Sequence, residues 1–353
     1  MRMRCCAVLF MSTLGVVTLI HAQSAVLDLP RDSQHALLTQ RIGVTDITIN
    51  YHRPLVKGRT IFGGIVPYDQ VWRAGANENT TIAFSDPVTI EGQALAAGTY
   101  GLHMIPGQTE WSIIFSKMAA AWGSFTYNEK EDALRVKVKA QKSEFREALT
   151  YDFDQPSNNS TIVTMSWEKV AVPFKVAVDV HEVVARSLDR QLRGLAQYTW
   201  EGWDDAANYW IGEKTNYDTA LKYADESIGQ ERRFDNLMTK SRALDGLGRT
   251  KDAALLRQEA LQLGNSQQLY GYARQLQRDN KGEEAFAIYR TSYKRYPNDW
   301  LSHAGMARIY CSQANFDNAI KEMKLAQDRA PEQAKEQVGG LVKRLEAKED
   351  INK

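Results

Sequence analysis

The sequence predicts a chain in two parts, an all-β module built as an antiparallel sandwich or barrel and then an all-α solenoid of helical repeats. Two observations predict it. From Ile42 to about Val180 apolar and polar residues alternate with a period of two, and after His181 the apolar spacing changes to three and four. Small residues then return at a near-constant interval, with Ala220, Ala253, Ala285 and Ala319 standing 33, 32 and 34 residues apart. At 353 residues the chain also exceeds one ordinary hydrophobic core.

The first segment reads as a processing signal. Arg2 and Arg4 precede an apolar run from Ala7 to Ile20, and His21-Ala22-Gln23 follows, the order of a secretory signal peptide over residues 1–22. The run is shorter than the ~20 residues that span a bilayer, so no integral membrane segment is expected after processing. Export to the periplasm or cell surface is the expectation. Residues 23–40 read as a leader with no periodic pattern. Cys5 and Cys6 lie in the signal, leaving Cys311 unable to close an internal disulfide and best placed as a small core residue. With 44 basic and 43 acidic side chains, no global field selects nucleic acid, and no nucleic-acid partner is expected.

The β module is expected over residues 41–180. Ile47, Ile49 and Tyr51 alternate with Thr48 and Asn50, and Leu134, Val136 and Val138 alternate with Arg135 and Lys137. Further strands are predicted at Thr81 to Phe84, Thr99 to Ile105, Trp111 to Phe115, Ala148 to Phe153, Thr161 to Trp167 and Phe174 to Val180. Turn signals such as Glu91-Gly92, Ala97-Gly98 and Pro106-Gly107 separate them.

Polar chemistry is densest between residues 50 and 125. Asn50-Tyr51-His52-Arg53-Pro54 is followed by Lys57-Gly58-Arg59-Thr60-Ile61-Phe62-Gly63, Trp72-Arg73-Ala74-Gly75-Ala76-Asn77-Glu78, Ala97-Gly98-Thr99-Tyr100-Gly101, Trp111, Lys117 and Trp122-Gly123. Together these segments resemble a bacterial family catalogued as domain of unknown function 2911, over about residues 35 to 180. His52 departs from the family pattern, in which a serine is common at that place. The resemblance implies an exported β-rich domain, often joined to helical repeats, and brings no reaction or cofactor with it.

The ligand-binding candidates are Arg53, Arg59, Trp72, Arg73, Asn77, Glu78, His103 and Lys117. Arg73, between Trp72 and a small Ala-Gly-Ala run, either presents a planar fork to a carboxylate, phosphate or sulfate, or pairs with Glu78. The internal pair is preferred, because an arginine beside a turn more often braces a loop. His103 alternates with Leu102 and Met104 on its strand and reads first as a packed, hydrogen-bonded ring. Lys117 reads as a snorkelling stem at the sheet margin, and Trp111 and Trp122 as sandwich core. No Gly-x-Ser-x-Gly elbow, Walker loop or His-Glu-x-x-His helix occurs, and no metal site or cofactor is expected.

The helical part begins with a linker helix over residues 181–200, followed by repeats over 201–332 and a capping helix and tail over 333–353. Pro297 and Pro331 each lie twelve residues after a repeat alanine, where a helix should end. In the last unit Met306, Ala307, Tyr310, Ala319, Met323, Ala326 and Pro331 stand at offsets that resemble the tetratricopeptide pattern. The unit before it supplies Tyr272, Ala273, Leu276, Ala285, Tyr289 and Pro297 at the same offsets. Stacked helix pairs of that kind create a concave surface for a protein or peptide. The expected function is therefore an interaction scaffold, with a small-molecule or glycan ligand at the β module. The competing reading is an envelope hydrolase that gathers Glu78, His103 and Lys117 in one cleft.

Overall fold

The computed structural model describes residues 29–352, so the signal-peptide expectation for residues 1–22 lies outside the described residues. The chain divides between Val184 and Ala185 into two compact units.

Among the described residues the first unit holds ten strands: β1 (Gln34–Ile42), β2 (Thr45–Arg53), β3 (Thr81–Phe84), β4 (Val88–Ile90), β5 (Gln93–Leu95), β6 (Gly98–Ile105), β7 (Glu110–Ser116), β8 (Asp132–Lys139), β9 (Gln141–Asp154) and β10 (Ser160–Ala177). They form two open sheets, one ordered β1-β2-β3-β6-β7-β8 and the other β5-β4-β10-β9, with every pairing antiparallel. The sheets face each other across one core, so of the two expected architectures the sandwich is realised and no barrel closes.

Strand β1 begins inside the segment expected to be a leader. Its residues are at most half-buried until Ile42, so this edge strand carries no apolar alternation to read. The two strands expected at Thr161 to Trp167 and Phe174 to Val180 are one strand, β10. Its register shifts between Ser166 and Glu168 and again between Glu168 and Val170, with Glu168 at φ +57°. Such a bulge bends the strand without ending it.

Alternation places the inward residues. Ile47, Ile49 and Tyr51 of β2 are buried, as are Val163, Met165 and Trp167 of β10. Phe62, from the loop after β2, wedges edge-on between Trp111 of β7 at 4.9 Å and Trp167 of β10 at 6.1 Å. Tyr51 of β2 meets Tyr151 of β9 edge-on at 4.8 Å, a second tie between the sheets.

The second unit is helical. Helix α1 (Val180–Gln191) spans the boundary and is followed by α2 (Trp200–Gly212), α3 (Tyr217–Gln230), α4 (Phe234–Gly246), α5 (Thr250–Leu263), α6 (Ser266–Arg278), α7 (Gly282–Arg295), α8 (Trp300–Ser312), α9 (Phe316–Arg329) and α10 (Glu332–Glu346). From α2 onward the helices are joined by short turns; α2 to α5 pack in succession, α6 to α10 do the same, and α2 also meets α4 while α6 meets α8. This is a solenoid-like stack of helix pairs. Thr199, Asn265, Asp299 and Asn315 cap α2, α6, α8 and α9 by accepting from backbone N–H groups in the first turn.

The recurring alanines make the stack close. Ala220, Ala253, Ala285 and Ala319 lie on α3, α5, α7 and α9 and are fully buried. Pro297 follows the end of α7, and Pro331 separates α9 from α10. Cys311 is buried on α8 with its thiol toward the Glu349 carbonyl and Asp350.

Two glycines test this packing. A Cβ on Gly305 of α8 would fall 2.6 Å from a ring carbon of the buried Tyr289 on α7. Gly305→Ala should therefore cost about 1–3 kcal/mol through overpacking. Gly340, exposed in the middle of α10, has nothing within 4 Å of that position. Gly340→Ala should stabilise by roughly 0.5–1 kcal/mol, the backbone-entropy difference. Urea unfolding followed by far-ultraviolet circular dichroism reads both, and equal effects would refute the close α7–α8 contact.

Candidate functional site

The segment from Trp72 to Thr80 is clamped before any side chain points outward. Trp72 N and O pair with Met104 of β6 at 2.8 Å each, and its indole nitrogen donates to the Gly75 carbonyl at 3.2 Å. The Ala74 carbonyl accepts from the hydroxyls of Tyr151 (2.9 Å) and Thr80 (3.1 Å). Gly75 explains the small run: a Cβ there would sit 2.4 Å from the Thr80 hydroxyl. Ala74 takes φ +52°, a left-handed conformation that these bonds hold in place.

Arg73 projects from this clamp. The preferred sequence reading paired it with Glu78, and the structure corrects that. Glu78 instead receives two hydrogen bonds from Arg31 Nη1, at 2.7 and 2.8 Å. Among the described residues Arg73 has no ion pair or hydrogen bond, and its Nε is sealed from solvent without a partner. Burial alone holds its pKa below the ordinary arginine value. Its Nη1 lies beside Gly123, 3.3 Å from where a Cβ would stand.

His52 completes the neighbourhood. Its Nδ1 is 3.6 Å from Glu78 Oε2, and its ring lies 5.3 Å from that of His35, which bonds Asn50 at 2.7 Å. Burial lowers the His52 pKa, with Glu78 pulling the other way and His35, Arg31 and Arg73 adding to the fall. Burial raises that of Glu78, but its own backbone N–H, Arg31 and His52 outweigh the rise and hold it low. The cluster therefore holds two guanidinium charges against one carboxylate.

The loop that follows β7 borders this cluster. Trp122 was expected in the core beside Trp111, yet only Trp111 is buried; Trp122 is 57% exposed, with Arg31 over its ring at 5.8 Å. The chain turns at Gly123, φ +68°, directly after Trp122.

The other candidates have separate tasks. Arg53 donates to the Leu149 carbonyl (3.0 Å) and the Thr150 hydroxyl (2.9 Å), tying β2 to β9. Arg59 donates to the carbonyls of Val56 and Leu55 and braces its own loop. Asn77, at φ +58°, donates to the Ser33 carbonyl at 3.4 Å. Trp72 stacks on Trp167 at 5.9 Å. His103 is 2% exposed and bonds the Ser124 hydroxyl at 2.9 Å, while Lys117 is exposed just past β7. No bond among the described residues gathers Glu78, His103 and Lys117 into one cleft.

The helical unit holds a second feature, a groove of about 810 Å³ lined chiefly by α2, α4 and α6. Arg242 of α4 donates to Asn208 of α2 at 2.8 Å and to the Thr239 hydroxyl at 3.1 Å. Asn208 donates to Asp204 Oδ2 at 2.8 Å, and Gln268 of α6 donates to Asp235 of α4 at 2.8 Å. Asp204 is buried, its Oδ1 has no partner among the described residues, and burial raises its pKa. Burial likewise lowers that of Arg242, against the pull of Asp204. Sequence reading missed this row. Its signal was present, because Asn208 and Arg242 are 34 residues apart, one repeat, on successive first helices.

Among the described residues no group of three His, Cys, Asp or Glu side chains is placed to hold a metal ion, and no helix is long and apolar enough to cross a membrane.

Fold and sites define a two-module protein, an antiparallel two-sheet domain followed by a helical stack with a polar groove. Residues 33–176 match the sequence model of a family described as "Protein of unknown function (DUF2911)". Among solved structures, this chain is similar to YrrB, described as a TPR protein with an unusual peptide-binding site, at 16% identity and a TM-score of 0.29, covering 46% of this chain and 84% of that one. No curated protein matches.

Proposed function

We propose that the protein is an exported interaction scaffold whose helical groove holds an extended protein segment, while the β unit recognises a second ligand. The observation that carries the reading is the groove between α2, α4 and α6, with amide and guanidinium side chains along its floor. Gln275 can donate to and accept from a peptide backbone, and Asn208 and Gln268 each keep one amide N–H beyond the bonds they already make, which suits binding that follows the main chain. Tyr272 and Met238 give apolar contact beside them. Export rests on Arg2, Arg4 and the apolar run before Ala22, and places the partner in the periplasm or at the cell surface.

Full-length mature protein and its Arg242→Glu variant, each immobilised, test the groove against an envelope fraction. Proteins retained by the wild type should be lost, and a synthetic peptide from any retained partner should bind the variant about 10-fold or more weakly. Equal retention by the two would remove the groove from the function.

A further inference from the structure

Arg73 carries a charge that the β unit does not balance. Its neighbour in sequence, Glu78, is engaged by Arg31, and no carboxylate of the described residues pairs with Arg73. A guanidinium at the rim of a packed domain, left without an acid, loses hydration and gains nothing in exchange. Its Nε faces the sealed side, which leaves the Nη1 and Nη2 edge as the fork open to an incoming group. The backbone clamp at Trp72, Ala74 and Thr80 fixes the base of the side chain, so the fork is positioned before a ligand arrives.

A second observation lies beside the fork. Met118, Trp122 and Phe125 are 44%, 57% and 84% exposed within one short loop. Gly123, between the last two, touches both Arg73 Nη1 and the Phe125 ring at 3.3 Å from its Cβ position. Large apolar side chains displayed on a loop that reaches an unpaired cation at Gly123 suit a ligand with an anionic head and a flat flank.

We propose that Arg73, with the Gly123 turn and the faces of Trp122 and Phe125, binds an organic carboxylate attached to a ring. The planar Nη1–Nη2 edge matches a planar carboxylate. Arg31 and Glu78 cancel each other, so the surplus is one positive charge, which a carboxylate neutralises and a doubly charged phosphate would exceed. The ring is either the apolar face of an acidic sugar or an aromatic acid; both offer the same chemistry. This deepens the reading that the β unit recognises a ligand of its own and is independent of the helical groove.

Isothermal titration of the full mature chain with sodium glucuronate and, separately, sodium benzoate tests it, with inorganic phosphate and neutral glucose as further titrants. One of the two acids should bind saturably and one to one; which of them does names the source of the ring. Arg73→Gln should weaken that binding about 10-fold or more, the loss of a charge-assisted pair, and Gly340→Ala, exposed on α10, should leave it unchanged. Should Arg73→Gln melt early, Arg73→Lys decides: native melting with about 10-fold weaker binding supports the fork, and wild-type binding overturns it. The proposal fails if neither acid saturates, if Arg73→Gln binds as the wild type does, or if phosphate binds as tightly as the better acid.

Discussion

Replacing Trp111 by alanine is expected to destabilise the β unit by about 3–5 kcal/mol, the range for removing a fully buried aromatic. Trp111 is 2% exposed on β7 and receives Phe62 edge-on at 4.9 Å, while Phe62 also meets Trp72 at 6.2 Å and Trp167 at 6.1 Å. Deleting the indole opens a void where the loop after β2 fills the space between the two sheets. The surrounding groups cannot close it, because Trp72 is held by its bonds to Met104 and Gly75 and Trp167 lies beside the bulge of β10. Urea unfolding followed by near-ultraviolet circular dichroism measures the loss. Trp122→Ala is the matched control, since an exposed side chain should change stability by no more than ~0.5 kcal/mol. Similar losses at the two positions would mean that the aromatic cluster is not the centre of the sandwich.

The two tryptophans also show where sequence reading reached and where it stopped. Trp111 sits in a strand whose alternation places it, whereas Trp122 sits in a loop with no period to assign a face. The same distinction runs through the sheets. Strands β2, β3 and β8 alternate more and less buried residues, and β6 and β7 are apolar runs buried over most of their length, so the sequence pattern marks all five. Strand β1 is a polar edge, and β4 and β5 have three residues each, too few to establish a period. In the helical unit the repeat alanines could be found because helix pairs tolerate only small side chains at closest approach.

Partner choice was the least readable feature. Glu78 is five residues from Arg73, yet it bonds Arg31, 47 residues away. Sequence proximity favoured the near pair, while the fold brings the distant chain segment to the carboxylate. The freed Arg73 is visible only in three dimensions. Conversely, the groove row was within reach, because extending the repeat register from apolar to polar positions links Asn208 to Arg242.

Acidification should weaken the β unit between about pH 6.5 and pH 4 through His103. Burial pushes its imidazole down to about 4, with Asp132 opposing weakly. Between those two values the unfolded chain binds a proton that the folded chain refuses, so stability is complete above the unfolded pKa and falls as pH drops toward the folded one. The gap amounts to on the order of 3 kcal/mol, enough to move the unfolding midpoint visibly. His52, also lowered, adds a fall of the same sign, so the measurement is a difference between the wild type and His103→Gln. The wild type should lose the larger amount across the window, and parallel pH profiles for the two proteins would exclude the effect. The same shift bears on chemistry. A ring that is 2% exposed, bonded to Ser124 and half-protonated only near pH 4 is neutral at pH 7 and poorly matched to a proton-transfer task there. His103 fits the place of a packed strand residue that holds the Ser124 loop, and so the Gly123 turn, against the sheet.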